Sequence, residues 1–183
     1  AAYSAWAKYP VAVIADLTAP ALLFVQTIGR LGDIVNGEHC AKATDFFLGF
    51  NWTNPSSDAR ICDNGVGVAV QPVIVYEMTW NMLALFISWR LRGKLEPDGM
   101  IYALYLALYS AGRFAVSFAR EDKVWTAGLQ EAHFIALVVL AVTIPLLAWK
   151  ARFVSDEEGL QLATEPAQPR GTRAQRRRRS RGQ

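Results

Sequence analysis

The sequence predicts an all-α protein, a polytopic transmembrane helical bundle of about four spanning helices with a small extracytoplasmic head. Two observations predict this fold. Hydrophobic residues make up 52% of the 183 residues and charged residues only 19%, and the hydrophobic residues fall in four blocks. A helix of about 20 residues rises about 30 Å, which matches the hydrocarbon thickness of a bilayer. A soluble bundle with buried ion pairs is the alternative, but four blocks near that length seldom coincide.

The predicted spans are residues 9–29, 71–89, 99–119 and 132–149. One charged residue interrupts each of the first three spans, in the order Asp16, Glu77 and Arg113, and none interrupts the fourth. The fourth contains Pro145, which is tolerated in a spanning helix because neighbouring helices can satisfy the backbone group that it leaves unpaired. Residues 1–150 are therefore predicted to form the membrane domain.

Basic residues in the short connections predict the orientation, because Lys and Arg accumulate on the cytoplasmic side. Arg90, Arg92 and Lys94 share one turn, and Lys150 begins a basic tail. Two predicted spans separate these clusters, so both fit the cytoplasmic side. Residues 30–70 then face the opposite side.

The tail, residues 151–183, is predicted to be disordered and cytoplasmic, since its composition cannot bury a core. Residues 150–183 carry a formal charge of +5 and residues 1–149 carry −2, so the excess of positive charge lies in the tail. Attraction to anionic membrane lipids is the role we predict for it. The alternative role is nucleic-acid binding by the run of four arginines, Arg176 to Arg179. This role does not fit a membrane protein, so we predict no nucleic-acid partner.

The connection over residues 30–70 is rich in Gly, Asn, Asp and Pro and is predicted to form the extracytoplasmic head. Cys40 and Cys62 both lie in it, in a compartment where a disulfide can persist. The sequence is compatible with a disulfide between these cysteines and also with two free thiols. His39 makes a metal site conceivable, but two Cys and one His lack a fourth ligand, so we predict no metal.

An ionisable side chain within a membrane span is a functional hypothesis by default, because it is costly unless it is paired or faces water. Arg113 shares one helix face with Tyr109 and Ser117, and Arg120 lies one turn further, so this polar stripe is predicted to face inward. A guanidinium can bind phosphate through two parallel hydrogen bonds. For Asp16, a structural ion-pair network remains the alternative.

A second polar group lies at the end of the first span, in the segment Gly29-Arg30-Leu31-Gly32-Asp33-Ile34-Val35-Asn36-Gly37-Glu38. Its glycines permit close approach of the backbone to a ligand or a free bend. Arg30, Asn36 and Glu38 supply a cation, an amide and a carboxylate. Their placement at the membrane surface fits a lipid head group.

These motifs resemble those of the bacterial prolipoprotein diacylglyceryl transferases. The segment from Gly29 to Glu38 is similar to the family pattern G-R-x-G-N-x-x-N-G-E. Gln71-Pro72 through Tyr76-Glu77 is similar to H-P-x-Q-x-Y-E, and Tyr109, Arg113 and Arg120 are similar to Y-x-x-x-R-x-x-x-E-x-x-R. The resemblance covers residues from about 9 to 149.

The resemblance implies an enzyme of the bacterial cytoplasmic membrane, a multi-pass protein, that moves the diacylglyceryl group of phosphatidylglycerol to the lipobox cysteine of a prolipoprotein. Glycerol phosphate leaves, and no cofactor is implied. Arg113 and Arg30 would be catalytic, with Arg113 on the phosphate and Arg30 also on the head group. The implied substrate-binding residues are Arg30, Asn36, Glu38, Glu77, Tyr109 and Arg120.

Four positions depart from the family patterns. They are Asp33 in place of Asn, Gln71 in place of His, Ile74 in place of Gln, and Ser117 in place of a carboxylate. The family also carries a His-Gly segment in earlier helices, so we expect this chain to be the carboxyl-side part of a longer enzyme.

Two other function classes remain as alternatives. A degenerate relative would bind phosphatidylglycerol without catalysis, as a subunit of a membrane complex. A lipid or solute transporter would show inverted repeats, and the helices around Glu77 and Arg113 show no internal symmetry.

Overall fold

The computed structural model describes residues 10–38 and 40–154. Its helices are α1 (Val11–Asn36), α2 (Val73–Leu91), α3 (Met100–Ser117) and α4 (Glu131–Lys150). A helix is therefore present at each of the four predicted spans, which confirms the all-α fold class. Within the described residues, α1, α3 and α4 are the three helices long and apolar enough to cross a membrane. α2 is not among them, since Glu77, Asn81 and Arg90 make it more polar.

The first helix is longer than predicted, and this corrects two expectations. α1 continues through Arg30 to Asn36, so the head does not begin at residue 30, and Gly29 and Gly32 lie inside a helix rather than in a bend. The helix ends because Gly37 adopts a left-handed conformation (φ 63°) and its N–H, with that of Glu38, bonds to the last helical carbonyls. A Cβ placed on Gly29 or Gly32 would meet nothing within 4 Å.

Asp16 joins α1 to the start of α3. Its carboxylate oxygens accept hydrogen bonds from the backbone N–H groups of Gly99, at 2.6 Å, and Tyr102, at 2.8 Å. These N–H groups lie at the N-terminus of α3, where backbone N–H groups have no acceptor within the helix. The charge within the first predicted span therefore caps another helix, and no ion pair is needed to explain it. Buried apolar side chains, including Leu23, Ala84 and Ile101, pack beside this contact.

The head, residues 40–72, is held by one disulfide and short backbone pairings. Cys40 and Cys62 are bonded, which resolves the open alternative in favour of the disulfide. Strand β1 (Phe50–Asn51) pairs antiparallel with β2 (Ala69–Val70), and a 3₁₀ helix covers Asp58–Ile61. His39, which was considered as a metal ligand, lies outside the described residues.

The head also holds the segment that follows α3. Ala41 forms an antiparallel bridge with Arg120. The Lys42 N–H donates to the carbonyl of Ala119, and the Glu121 N–H donates to the carbonyl of Cys40. The backbone around Arg120 is therefore fixed by the head rather than by α3 itself.

The remaining strands are short and lie next to helix ends. They are β3 (Leu95–Glu96), β4 (Val124–Thr126), β5 (Leu129–Gln130) and β6 (Arg152–Phe153). β4 and β5 form a hairpin that leads directly into α4, and β6 pairs with β3. The tail predicted over residues 151–183 thus begins with a paired strand, and from residue 155 onward it lies outside the described residues.

Large apolar side chains are exposed along the outer faces of the helices. Examples are Val25 on α1, Phe86 on α2, and Val138 and Val142 on α4, each more than 60% exposed. Such a continuous apolar exterior is typical of helices that contact lipid.

Candidate active site

A buried carboxylate, that of Glu77, lies at the centre of a cluster of arginines. Its side chain is only 7% exposed. Arg113 Nη1 donates a hydrogen bond to Oε1 at 2.7 Å, and Arg30 Nη2 forms an ion pair with Oε2 at 2.6 Å. Arg120 Nη1 lies 3.9 Å from Oε1. One buried negative charge therefore balances guanidinium groups that come from three parts of the chain.

Different elements supply each member of this cluster. Arg30 lies on α1, Glu77 on the second turn of α2, and Arg113 on the last turns of α3. Arg120 follows α3 and is placed by its bridge to the head. Tyr109, one helical turn before Arg113, lines a narrow cleft together with Arg30, Glu77 and Arg113.

Neighbouring carboxylates neutralise two of the three arginines. Arg30 Nη1 also binds Asp33 Oδ2 at 2.6 Å, one helical turn away. Arg120 makes a two-point contact with Asp122, with its Nε 2.8 Å from Oδ2 and its Nη2 3.3 Å from Oδ1. Arg113 has no such second carboxylate among the described residues, and its side chain is 27% exposed. It shares the Glu77 charge with Arg30, so its other N–H donors remain available to an anion.

A cavity of about 530 Å³ opens beside Arg113 and Arg120. Tyr109 and Ser110 of α3 form one wall, and Ile135 and Ala136 of α4 form an apolar wall. This volume lies in the range of sites that hold small molecules. Arg30 and Glu77 line the narrow cleft rather than this cavity, and Tyr109 and Arg113 line both.

Two residues that the sequence motifs did not indicate hold α2 and α3 in register. The Trp80 indole N–H donates to the carbonyl of Leu108 at 2.7 Å. A Cβ on Gly112 would lie within 2.1 Å of the Trp80 ring, so only glycine lets the ring lie against α3 there. Trp80 is one turn from Glu77 and Gly112 precedes Arg113, so this contact sets the distance between the acid and the arginine. The sequence signal for this contact is a glycine that directly precedes an arginine on the polar face of a helix.

The structure does not bring Asn36 and Glu38 into this cluster. Both are exposed, and Asn36 lies six residues beyond Arg30, or about 9 Å along the helix axis. Neither lines the 530 Å³ cavity or the cleft behind it. Of the seven candidate residues, the three arginines, Glu77 and Tyr109 therefore meet, while Asn36 and Glu38 lie at the boundary with the head.

His133 and Gln71 both have structural partners. His133 is buried, and its Nδ1 accepts a hydrogen bond from the Gln130 N–H at the start of α4. Gln71 accepts from the Tyr76 hydroxyl and donates to the Thr44 hydroxyl, which links the head to α2. Within the described residues, no group of three or more His, Cys, Asp or Glu side chains could hold a metal ion.

The fold is that of a multi-pass membrane protein, and the arginines at the cavity wall give it the electrostatic character of an anion-binding site. Residues 1–149 match the family described as Prolipoprotein diacylglyceryl transferase. The chain therefore belongs to the prolipoprotein diacylglyceryl transferase family.

Curated relatives agree with this assignment. The chain is 31% identical over 150 residues to the phosphatidylglycerol–prolipoprotein diacylglyceryl transferase of Dehalococcoides mccartyi, covering 82% of this chain and 56% of the relative. It is 32% identical over 175 residues to the enzyme of the same description from Nocardia farcinica, covering 90% and 34%. The enzyme of Streptococcus sanguinis is 30% identical over 142 residues, covering 75% and 51%. The chain thus spans about half the length, or less, of these relatives.

Proposed function

We propose that this chain binds phosphatidylglycerol and takes part in transfer of its diacylglyceryl group to the lipobox cysteine of a prolipoprotein, in the bacterial cytoplasmic membrane. The observation that carries the proposal is the position of Arg113. Its guanidinium hydrogen-bonds to the buried Glu77 and also lines the 530 Å³ cavity. A cation fixed from behind by a buried acid is pre-organised for a phosphate that arrives from the cavity.

The cavity walls suit the two parts of a phospholipid. Arg113 and Arg120 are guanidinium groups that can bind phosphate oxygens in pairs. Ile135 and Ala136 of α4 are apolar and lie on the same cavity, and the outer face of α4 carries exposed apolar side chains. A phospholipid head group could therefore occupy the cavity while its acyl chains remain beside α4.

The reaction breaks one bond and forms one bond. The cysteine sulfur attacks the glyceryl carbon that carries the phosphate ester, a C–S bond forms, and the C–O bond to the phosphate breaks. The electron pair of that bond stays on the departing phosphate oxygen, and the proton that the thiol loses passes to this oxygen, so glycerol phosphate leaves as a protonated monoester. Arg113 would stabilise the charge that grows on this phosphate, with Arg120 beside it.

The other candidate residues have supporting roles in the proposal. Glu77 would orient Arg30 and Arg113, since it contacts both. Tyr109 lines both the cavity and the narrow cleft and would contact the head group, and Arg30 would bind the head group once the cleft widens. Asn36 and Glu38 would act at the boundary with the head, where a prolipoprotein could enter. The basic tail is proposed to lie on the cytoplasmic side against anionic lipids.

A transfer assay tests the proposal. Membranes that contain the protein are given phosphatidylglycerol with labelled acyl chains and a lipobox peptide, and label on the peptide is measured. Arg113→Ala is expected to lower transfer at least about 100-fold, because one stabilising donor in such a site is worth that much. Arg113→Lys retains the charge but not the paired donors, so transfer is expected to recover only in part.

The matched control is Arg90→Ala, which removes an arginine at the opposite end of α2. Its transfer rate should equal that of the unsubstituted protein. Undiminished transfer by Arg113→Ala would contradict the proposal. If the unsubstituted protein binds phosphatidylglycerol but transfers nothing, the second candidate holds, a non-catalytic phosphatidylglycerol-binding subunit.

A further inference from the structure

A second polar cavity, of about 400 Å³, lies next to the first at the end of the bundle that carries the head. Four residues line both cavities: Arg120, Asp122, Lys123 and Gln130. The remaining walls include Lys42 and Asp63 of the head and His133 of α4. A group held by Arg120 in the first cavity is therefore already at the edge of the second.

His133 lines this second cavity and has a buried ring nitrogen without a partner among the described residues. The residue is 1% exposed, and its Nδ1 accepts the Gln130 N–H at 3.1 Å. An imidazole that accepts at Nδ1 carries its hydrogen on Nε2. Within the described residues, this Nε2 is buried and has no hydrogen-bond partner. A buried donor without an acceptor is costly, so the site calls for a ligand that supplies an acceptor.

The charges around the second cavity favour a ligand that is both an anion and a polyol. Two of its carboxylates are already engaged: Glu121 by the side chain of Asn64, and Asp122 by Arg120. Lys42 and Lys123 form no ion pair within the described residues, so they are available to a phosphate. The Asp63 carboxylate can accept hydrogen bonds from hydroxyl groups.

We infer that this second cavity binds glycerol phosphate, the water-soluble leaving group, after it separates from the diacylglyceryl group. The inference rests on the proposed function, which defines the leaving group. Arg120 contacts both cavities and so can keep hold of the phosphate as it moves. Lys123 and the Nε2 hydrogen of His133 then bind phosphate oxygens, and Asp63 receives the glycerol hydroxyls.

Direct binding tests this inference without any transfer step. The purified protein in detergent, free of phosphatidylglycerol, is titrated by calorimetry with glycerol phosphate and, separately, with inorganic phosphate. Glycerol phosphate is expected to bind about tenfold more tightly, because its hydroxyls add hydrogen bonds that inorganic phosphate lacks.

Two substitutions identify the cavity that is occupied. His133→Asn keeps an acceptor near the position of Nδ1 but removes the Nε2 donor, so glycerol phosphate should bind about tenfold more weakly. Lys42→Gln, on an exposed residue that lines the second cavity but not the first, should weaken binding of both probes about threefold. The matched control is Lys150→Gln at the far end of α4, with binding unchanged. Thermal unfolding checks that each variant is folded, and Lys42→Gln decides the matter if His133→Asn does not fold.

The outcomes separate this inference from the proposed function. No binding of glycerol phosphate, or binding that neither substitution weakens, would overturn the inference. So would binding that Arg113→Ala abolishes, because the ligand would then occupy the first cavity alone. Binding that depends on His133 and Lys42 in a protein that transfers no lipid would support this site and contradict the proposed activity.

Discussion

Two acids within the predicted spans, Asp16 and Glu77, look alike in the sequence and differ in the structure. Asp16 is bound by two backbone N–H groups at the start of α3. Glu77 is bound by the side chains of Arg30 and Arg113. Backbone N–H groups at a helix terminus are fixed in position, so the Asp16 contact holds α1 against the start of α3. Guanidinium side chains can turn toward a ligand, so the Glu77 cluster can exchange an internal contact for a substrate contact.

Removing the Glu77 carboxylate should have the largest effect. In Glu77→Ala, Arg30 and Arg113 lose their shared buried counter-charge, and the unfolding free energy should fall by about 3 kcal/mol. Lipid transfer should fall with it, since Arg113 is no longer oriented. Denaturant unfolding in detergent micelles and the transfer assay measure the two effects. Glu96→Ala, an exposed acid on β3, is the matched control and should change neither.

The next largest effect is expected at the contact that aligns α2, which carries Glu77, with α3, which carries Arg113. Gly112→Ala forces the Trp80 ring away from α3 and breaks its bond to the Leu108 carbonyl. A loss of about 1 to 3 kcal/mol is expected from overpacking, with slower transfer as Glu77 and Arg113 separate.

Gly32→Ala is the matched control for that substitution, because a Cβ there meets nothing within 4 Å. It should be neutral or stabilise the helix by up to about 1 kcal/mol. Equal destabilisation by the two alanines would show that the Trp80 contact does not set the helix spacing.

A substitution of Asp16 should lower the stability of the fold without changing the rate of lipid transfer. Asp16→Ala leaves the N–H groups of Gly99 and Tyr102 without their acceptor, so stability should fall by about 1 to 2 kcal/mol. The transfer rate per folded molecule should stay the same, because Asp16 does not contact the arginine cluster. A selective loss of transfer at unchanged stability would contradict the structural role of Asp16.

The smallest effect is expected at Asp33, where the family pattern has Asn. Asp33 neutralises Arg30 at 2.6 Å. In Asp33→Asn, Arg30 keeps a hydrogen-bond acceptor but loses a competing charge, so KM for phosphatidylglycerol should fall about two- to fivefold. The effect should shrink at high salt, since both side chains are partly exposed. A raised KM would mean that Asp33 contributes to binding rather than competing with it.

Much of the candidate site could be anticipated from local pattern, and the rest could not. The i to i+4 spacing of Tyr109 and Arg113 predicts that they lie on one face of a helix. In the structure, both side chains line the same cleft. Asn36 and Glu38 follow Arg30 closely in sequence but do not join the cluster, because α1 continues through residue 36 and carries them along its axis. The glycines of the signature segment were compatible with close approach to a ligand or with a bend, and they gave no local sign that the helix would persist.

The sequence by itself determined the helical membrane fold, the family and the small set of charges that the bilayer makes costly. These features depend on composition, block length and spacing along one helix, which are local properties. Only the tertiary structure decided that Asp16 caps α3, that Glu77 joins Arg30 to Arg113, and that Gly112 accommodates Trp80. Those contacts connect residues far apart in the chain, and they depend on how the helices cross and on the head that holds Arg120.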